Sequence, residues 1–290
     1  MHEKTVLITG ATSGIGFYTA KALGSKGAQV IITGRDGARG RKAADELRQR
    51  ASNDQIHFIA VDHSTIGANF ALGERITNEF DHLHVLINNV GGALQRRETS
   101  EGYDTTLALN FLGPFALTQR LLPCLEHNKP ARIINVVSSA YTMWQRDPLE
   151  DLNGQEGFVA INAYAHVKLL NLLWTFALAR RLEGSGIVIN ATNPGMAWTP
   201  GTQALTPETV PAWRFFWPLV RWIQRRASPE KASRSCVFLA SSDEGANVSG
   251  KYFESHAKAS RPSALALNIK NQERVWDLGM RLCTQVPAGE

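Results

Sequence analysis

Cysteine is scarce in this 290-residue chain: Cys124, Cys236 and Cys283 lie far apart and are odd in number. That excludes a disulfide framework and a C-x-x-C metal site, and it points to a reducing compartment. Long apolar runs are missing as well, since no stretch approaches the ~18 uninterrupted apolar residues of a spanning helix. Strand-like residues begin at Thr5, which leaves no room for a signal peptide or an N-terminal anchor. A cytoplasmic location is expected. Basic blocks are absent: Arg225-Arg226 is only a pair and the net charge of +5 is mild, so nucleic acid is not an expected partner. Histidines other than His63 show no ligand spacing, and no metal is expected. Internal repeats, low-complexity tracts and linkers are also missing, so residues 1–290 are read as a single domain.

What the chain does have is 43% hydrophobic and 20% charged residues, the balance of a soluble globular protein. Strand-like runs lie at Thr5–Thr9, Gln29–Thr33, Ile56–Val61, Val85–Asn88, Arg132–Val137, Ile187–Thr192 and Lys251–Phe253, most of them short, β-branched and continuously apolar, as in strands buried on both sides. Helical patterns alternate with them at Ile15–Lys26, Arg39–Arg50, Gly67–Phe80, Glu101–Glu126, Ala163–Leu182, Pro229–Ala240 and Asn271–Cys283. The alternation predicts an α/β fold, a parallel sheet with helices on both faces.

The first strand runs into Thr9-Gly10-Ala11-Thr12-Ser13-Gly14-Ile15-Gly16 and then directly into a helix. Glycines there permit a tight turn and close backbone approach, and the helix N-terminus offers unpaired N–H groups to a pyrophosphate. The second strand ends at Thr33-Gly34-Arg35-Asp36, where a dinucleotide fold places the adenosine ribose. A guanidinium at Arg35, with Arg39 and Arg41 close behind, suits a 2'-phosphate and favours NADP(H) over NAD(H). Asp36 is the residue that argues for a free 2'-hydroxyl.

Further polar residues sit at strand ends. Asp62 could accept from an adenine amino group or cap the next helix. Asn88-Asn89-Val90-Gly91-Gly92 is small and polar enough to line a nucleotide groove. Asn110, inside an apolar helical stretch, either kinks the helix around a water or serves a site. Ser138-Ser139 closes the fifth strand, and Pro194-Gly195 through Thr199 gives a rigid turn and a hydroxyl after the sixth.

Tyr164 and Lys168, four residues apart, stack one helical turn apart on one face. A fixed charge ~4 Å from a phenol, at an effective dielectric of ~20, is worth ~4 kcal/mol, or roughly three pKa units toward phenolate. A tyrosine so placed is expected to serve as acid and base near neutrality.

Together, T-G-x-x-x-G-x-G from Thr9 to Gly16, N-N-V-G from Asn88 to Gly91, Asn110, Ser139, Tyr164-x-x-x-Lys168 and Pro194-Gly195 resemble the short-chain dehydrogenase/reductase family. Gly250-Lys251-Tyr252-Phe253 and the Ser139 to Tyr164 spacing look like its retinol dehydrogenase-like branch. The resemblance implies one doubly wound Rossmann domain with a seven-stranded parallel sheet of order 3-2-1-4-5-6-7. It implies Tyr164 as proton donor and acceptor, and Lys168 as holder of the nicotinamide ribose. Ser139 would bond the substrate oxygen, and Asn110 would hold a relay water. Gly10, Ser13, Gly14, Ile15 and Gly16 would surround the pyrophosphate and its ribose. Asn89 and Gly91 would touch the adenosine side, and Pro194, Gly195 and Thr199 the nicotinamide end. His63 departs from the family, which commonly has leucine there, and is expected either to reach the adenine or to face solvent. Val90 stands where the family usually has alanine.

Residues 198–228 follow the sixth strand, where this fold covers its substrate, and carry Trp213, Phe215, Phe216, Trp217 and Trp222. An aromatic lid over an apolar ligand is expected, with Trp198 and the insertion from Met143-Trp144 to Phe158 as further walls. The same segment could instead be buried in the core, or lie on a membrane surface through 209–226. The leading expectation is an NADP-dependent oxidoreductase of a bulky apolar carbonyl or alcohol. Its rivals are a ketoreductase of an aromatic polyketide or other polycyclic metabolite, and a silent NADP-sensing regulator. Both monomer and homodimer are open.

Overall fold

A computed structural model describes residues 1–94, 99–154 and 158–284. Strands β1 (Thr5–Ile8), β2 (Gln29–Gly34), β3 (Ile56–Ala60), β4 (Val85–Asn88), β5 (Ala131–Val136), β6 (Ile187–Thr192) and β7 (Tyr252–Phe253) run parallel in the order 7-6-5-4-1-2-3. That is the expected order. An eighth strand, β8 (Ala259–Ser260), pairs antiparallel with β7 and was not anticipated. Two exposed residues after a turn carry neither apolar periodicity nor length to mark them as strand.

Side chains alternate between the two faces of the sheet. Leu7, Ile31, Leu86, Ile133 and Ile189 enter one core, whereas Val6, Ile8, Val30, Ile32, Val85, Ile87, Ile134 and Val136 enter the other. The second core is closed by α1 (Gly14–Gly24), α2 (Gly37–Ala51) and α7 (Arg234–Ser241); the first by α3 (Ile66–Glu79), α4 (Gly113–His127), α5 (Ala160–Arg181) and α8 (Ile269–Thr284). Trp174 of α5 is fully buried, with its ring edge-on to Phe115 at 5.5 Å. Helix α6 (Trp217–Arg226) lies outside both cores.

Some boundaries differ from expectation. The helix expected from Glu101 starts at Thr105, because the Glu101 carboxylate instead accepts from the N–H groups of Ile66 and Gly67 and caps α3. Between Thr105–Leu107 and α4 the chain widens into a π turn, Ala108–Leu112, centred on Asn110. The expected helix Pro229–Ala240 is two pieces, Pro229–Ala232 and α7.

Candidate active site

The β1–α1 turn is set by two left-handed glycines, Gly10 (φ +64°) and Gly14 (φ +61°). A Cβ on Gly10 would come within 3.0 Å of Val90, and one on Gly14 within 2.9 Å of the Thr199 methyl, so the turn brings three loops together. Val90 thus packs on Gly10 where a smaller alanine would leave space. Asn89 is the latch: its amide donates to the Thr9 and Gly10 carbonyls at 2.8 and 3.2 Å, and its N–H donates to Thr9 Oγ1. Ser13 precedes α1 in extended conformation, its hydroxyl making no cap bond to the helix. Ile15, Asn89, Gly91, Pro194, Gly195 and Thr199 all face one cavity. Gly16 lies against Asn89 and Ala11.

At the end of β2, Arg35 is exposed. Asp36 is the N-cap of α2 and accepts from the Arg39 N–H at 3.0 Å, which lowers its pKa. Asp62 is also exposed and accepts from the Ser64 N–H and hydroxyl at 3.0 and 2.7 Å. Burial opposes its ionisation, but those bonds and the Arg35 charge prevail and lower its pKa.

His63 is a correction. It is buried, and both ring nitrogens are engaged: Nε2 with Thr33 Oγ1 and Nδ1 with Asn69 Oδ1, each at 2.7 Å. The Asn69 amide donates to the carbonyls of His63 and Thr65, so its oxygen accepts from Nδ1–H and Nε2 accepts from Thr33. Burial lowers the imidazole pKa and keeps it neutral. Neither nitrogen is available to adenine; His63 braces Thr33, whose hydroxyl accepts from the Gly10 N–H at 3.3 Å.

The catalytic candidates converge beyond the carboxyl ends of β4 and β5. Lys168 is buried, its Nζ donating to the Val136 carbonyl at 3.1 Å and lying 5.4 Å from the centre of the Tyr164 ring. A Cβ on Gly91 would lie 2.6 Å from Asn110 Oδ1 and 2.9 Å from Lys168 Nζ, so a glycine is required where Asn110, Lys168 and the β4 loop meet. Asn110 is held by the Gly92 N–H and carbonyl, both at 3.1 Å, and by the Thr106 carbonyl at 2.9 Å. Of the two serines, Ser138 faces the Tyr164 phenol as its hydrogen-bonding partner, while Ser139 is exposed. Ser139, the serine expected there, also lines the cavity, but the hydroxyl that partners the phenol is that of Ser138. The strand run Asn135-Val136-Val137 ends with two hydroxyls, and only the twist of the chain after β5 decides which one turns inward.

Protonation also departs from expectation. Burial pushes the Tyr164 phenol up to about 12, opposed by Ser138, which favours phenolate. Burial likewise pushes Lys168 down to about 8. The ammonium sits over the ring face and is tied to Val136, and burial outweighs it, so the expected depression of the phenol is absent.

The short chain dehydrogenase family model matches residues 4–209, a span that holds every group just described. This chain is a short-chain dehydrogenase. It belongs to the retinol dehydrogenase-like branch: mouse retinol dehydrogenase 12 is 36% identical over 96% of this dehydrogenase and 86% of the relative. Human retinol dehydrogenase 13 is 34% identical over 96% and 84%. Among solved structures, an uncharacterized protein from Mycobacterium paratuberculosis has a TM-score of 0.75 at 26% identity, covering 98% of this chain and 94% of that one. The Pseudomonas aeruginosa RhlG/NADP active-site complex gives 0.67 at 25% identity over 89% and 96%. The dehydrogenase is thus an NAD(P)-dependent oxidoreductase acting on alcohols and carbonyls.

The cavity of this dehydrogenase measures about 450 Å³ and reaches Tyr164, Lys168 and Ser138. The left-handed turn at Gly10 and Gly14, which leads into Ile15 on the cavity wall, and the side-chain-free Gly91, Gly92 and Gly195 that line it fit a dinucleotide along the inner wall. Met143, Ile161, Met196, Ala197, Leu205 and Val210 give the remaining wall its apolar character. The segment after β6 does border the cavity, through Thr199, Gly201, Thr202, Leu205, Val210 and Gln224. Its aromatics do not do so as expected: Phe215, Phe216 and Trp222 are exposed, and the Trp213 side chain lies outside the described residues. Trp198 is instead covered by the Arg221 guanidinium, 4.7 Å from its ring. Trp144 stacks on His166 at 3.9 Å, which holds the start of the insertion against α5; residues 155–157 lie outside the described set.

Proposed function

We propose that this dehydrogenase uses NADP(H) to interconvert a bulky apolar carbonyl compound and its alcohol. The observation that carries the reading is the 450 Å³ cavity, which reaches Tyr164 between Met143, Ile161, Met196, Leu205 and Val210. Such a wall rewards burial of an apolar substrate and offers few polar groups to a small hydrophilic one. A bound nicotinamide dinucleotide supplies or accepts the hydride. Gly10, Ser13, Gly14, Ile15 and Gly16 would hold its pyrophosphate end, Asn89 and Gly91 its adenosine side, and Lys168, Pro194, Gly195 and Thr199 its nicotinamide end. The relatives' names support a retinoid-like ligand as the first class to try.

Ser138 is the hydroxyl we assign to the substrate oxygen, beside Tyr164. As negative charge grows on that oxygen, both hydroxyls stabilise it, and Tyr164 gives up its proton. Burial keeps the phenol protonated until that charge develops, and in the reverse direction the same hydroxyl takes the proton back. Lys168 stands behind Tyr164 as the next cation, with Asn110 beside it.

NADP preference rests on the contrast at the end of β2. Asp36 is engaged as the cap of α2, while Arg35 is exposed with Arg39 and Arg41 nearby. The deciding experiment follows NADPH and NADH oxidation against a panel of aldehydes, steroids, retinoids and aromatic polyketides. Turnover of large apolar carbonyls with NADPH, abolished in Tyr164→Phe, is the expected result; a preference for small hydrophilic substrates or for NADH overturns the reading.

A further inference from the structure

Helix α6 and the turn before it present an apolar face to solvent. Phe215 is 91% exposed, Phe216 66%, Leu219 55%, Trp222 54% and Ile223 45%. These five hydrophobes lie within nine residues at helical spacing, so they share one face. An isolated exposed hydrophobe needs no explanation; a contiguous aromatic and aliphatic patch does.

The charge around the patch identifies what covers it. Between Glu208, which lies in the field of Arg214, and Glu230, which pairs with Lys21, the chain has four arginines, Arg214, Arg221, Arg225 and Arg226, and no further carboxylate. Arg226 lies 3.7 Å from the centre of the Trp222 ring and donates to the Trp222 carbonyl, pairing a cation with an interfacial aromatic. Arg221 turns inward, donating to the Thr202 carbonyl at 3.2 Å and sitting over Trp198, which anchors the helix to the body. A partner with an apolar interior beneath an anionic surface meets both features at once. No described helix is long and apolar enough to cross a membrane.

We propose that α6 is a bilayer-docking element, laying Phe215, Phe216, Leu219, Trp222 and Ile223 into the surface of a membrane rich in anionic lipid. The docked helix also places the substrate entrance. Gln224, on the inner side of α6, lines the catalytic cavity, and Met143 and Met196 line it too while remaining 49% and 46% exposed. One helix therefore carries both the lipid-facing patch and, through Gln224 on its opposite side, part of the cavity wall, so that docking would bring the cavity close to the bilayer and let a hydrophobic substrate enter from it. This delivery step rests on the apolar substrate proposed above; the docking step does not.

The test is cosedimentation of the full chain with vesicles of phosphatidylcholine, with and without phosphatidylserine. Binding is expected to vesicles containing phosphatidylserine, to weaken with added salt, and to fall about tenfold or more in Phe215→Glu/Phe216→Glu. Unchanged circular dichroism and melting temperature establish that the variant is folded. Arg225→Glu/Arg226→Glu is expected to remove the preference for phosphatidylserine. Absence of vesicle binding, or binding insensitive to the Phe pair, overturns the proposal. So does light scattering showing that copies pair through this face and that the Phe pair breaks them apart. Binding is read without turnover, so failure to bind with apolar carbonyls still reduced refutes docking alone. Binding without any such turnover refutes the substrate reading alone.

Discussion

The side-chain amide of Asn171 donates to the main-chain oxygen of Asn110 at 2.7 Å, at the centre of the π turn. An i→i+5 turn displaces the carbonyls of the regular ladder, and Asn171 satisfies one of them from α5. Its own oxygen accepts from Trp174 Nε1 at 2.9 Å, and its carbonyl from Thr175, whose hydroxyl also accepts from Asn135. A buried polar chain thus joins the π turn, α5 and β5 beneath the reacting groups.

Replacing Asn171 by Asp keeps the acceptor for Trp174 but turns a second acceptor toward the Asn110 oxygen. A loss of about 2–4 kcal/mol in stability is expected from the unpaired buried groups. Denaturant unfolding checks the stability. kcat is expected to fall further than KM rises, because Asn110 shifts relative to Lys168 while the cavity wall is untouched.

Ser138→Ala is expected to lower kcat by about 10²–10³, the usual cost of losing one donor to a developing oxyanion, with Ser139→Ala near wild type. Steady-state kinetics on the same carbonyl substrate distinguish them. The reverse ranking would return the role to Ser139.

The parallel α/β class, the glycine turn and the Tyr164–Lys168 spacing could be read from the chain because each depends on local pattern: strand-like runs alternating with helical ones, glycine between strand and helix, and one helical turn. The sheet order followed only from the family resemblance. Ser138 could not, because two adjacent hydroxyls follow β5 and no periodicity separates them. His63 was misread for a similar reason: only Thr33 and Asn69, brought in from β2 and α3, reveal that its nitrogens are engaged. Asn171 carried no signal beyond being polar in an apolar helix. The aromatic segment had the right composition for a lid, but which face turns outward is decided by Arg221 and Gln224.

Arg35→Ala is expected to raise the KM for NADPH about tenfold or more and leave that for NADH nearly unchanged. Asp36→Ala should instead cost about 1 kcal/mol of stability through the lost N-cap, with little effect on discrimination. Kinetics with both nucleotides and a thermal melt separate the two.

Lys168 gives a pH signature. Its pKa is about 8 in the fold against 10.5 when unfolded, so the unfolded chain binds more protons in between and stability rises with pH across that window. Below it, burying the ammonium costs about 3 kcal/mol. Lys168→Met removes this cost. Its stability relative to wild type is therefore expected to be highest near pH 7 and to shrink steadily toward pH ~10. Parallel urea titrations at several pH values check the slope; a constant difference contradicts it.

Helix α8 lies across α4 and α5, with Trp276 on Phe115 at 5.3 Å and Glu273 bridging Arg180 and Arg181. Gly279 permits this approach, since a Cβ there would fall 2.6 Å from the Phe115 ring. The chain thus roofs its own α4 and α5, so anything that reaches that face from outside would first have to peel α8 away.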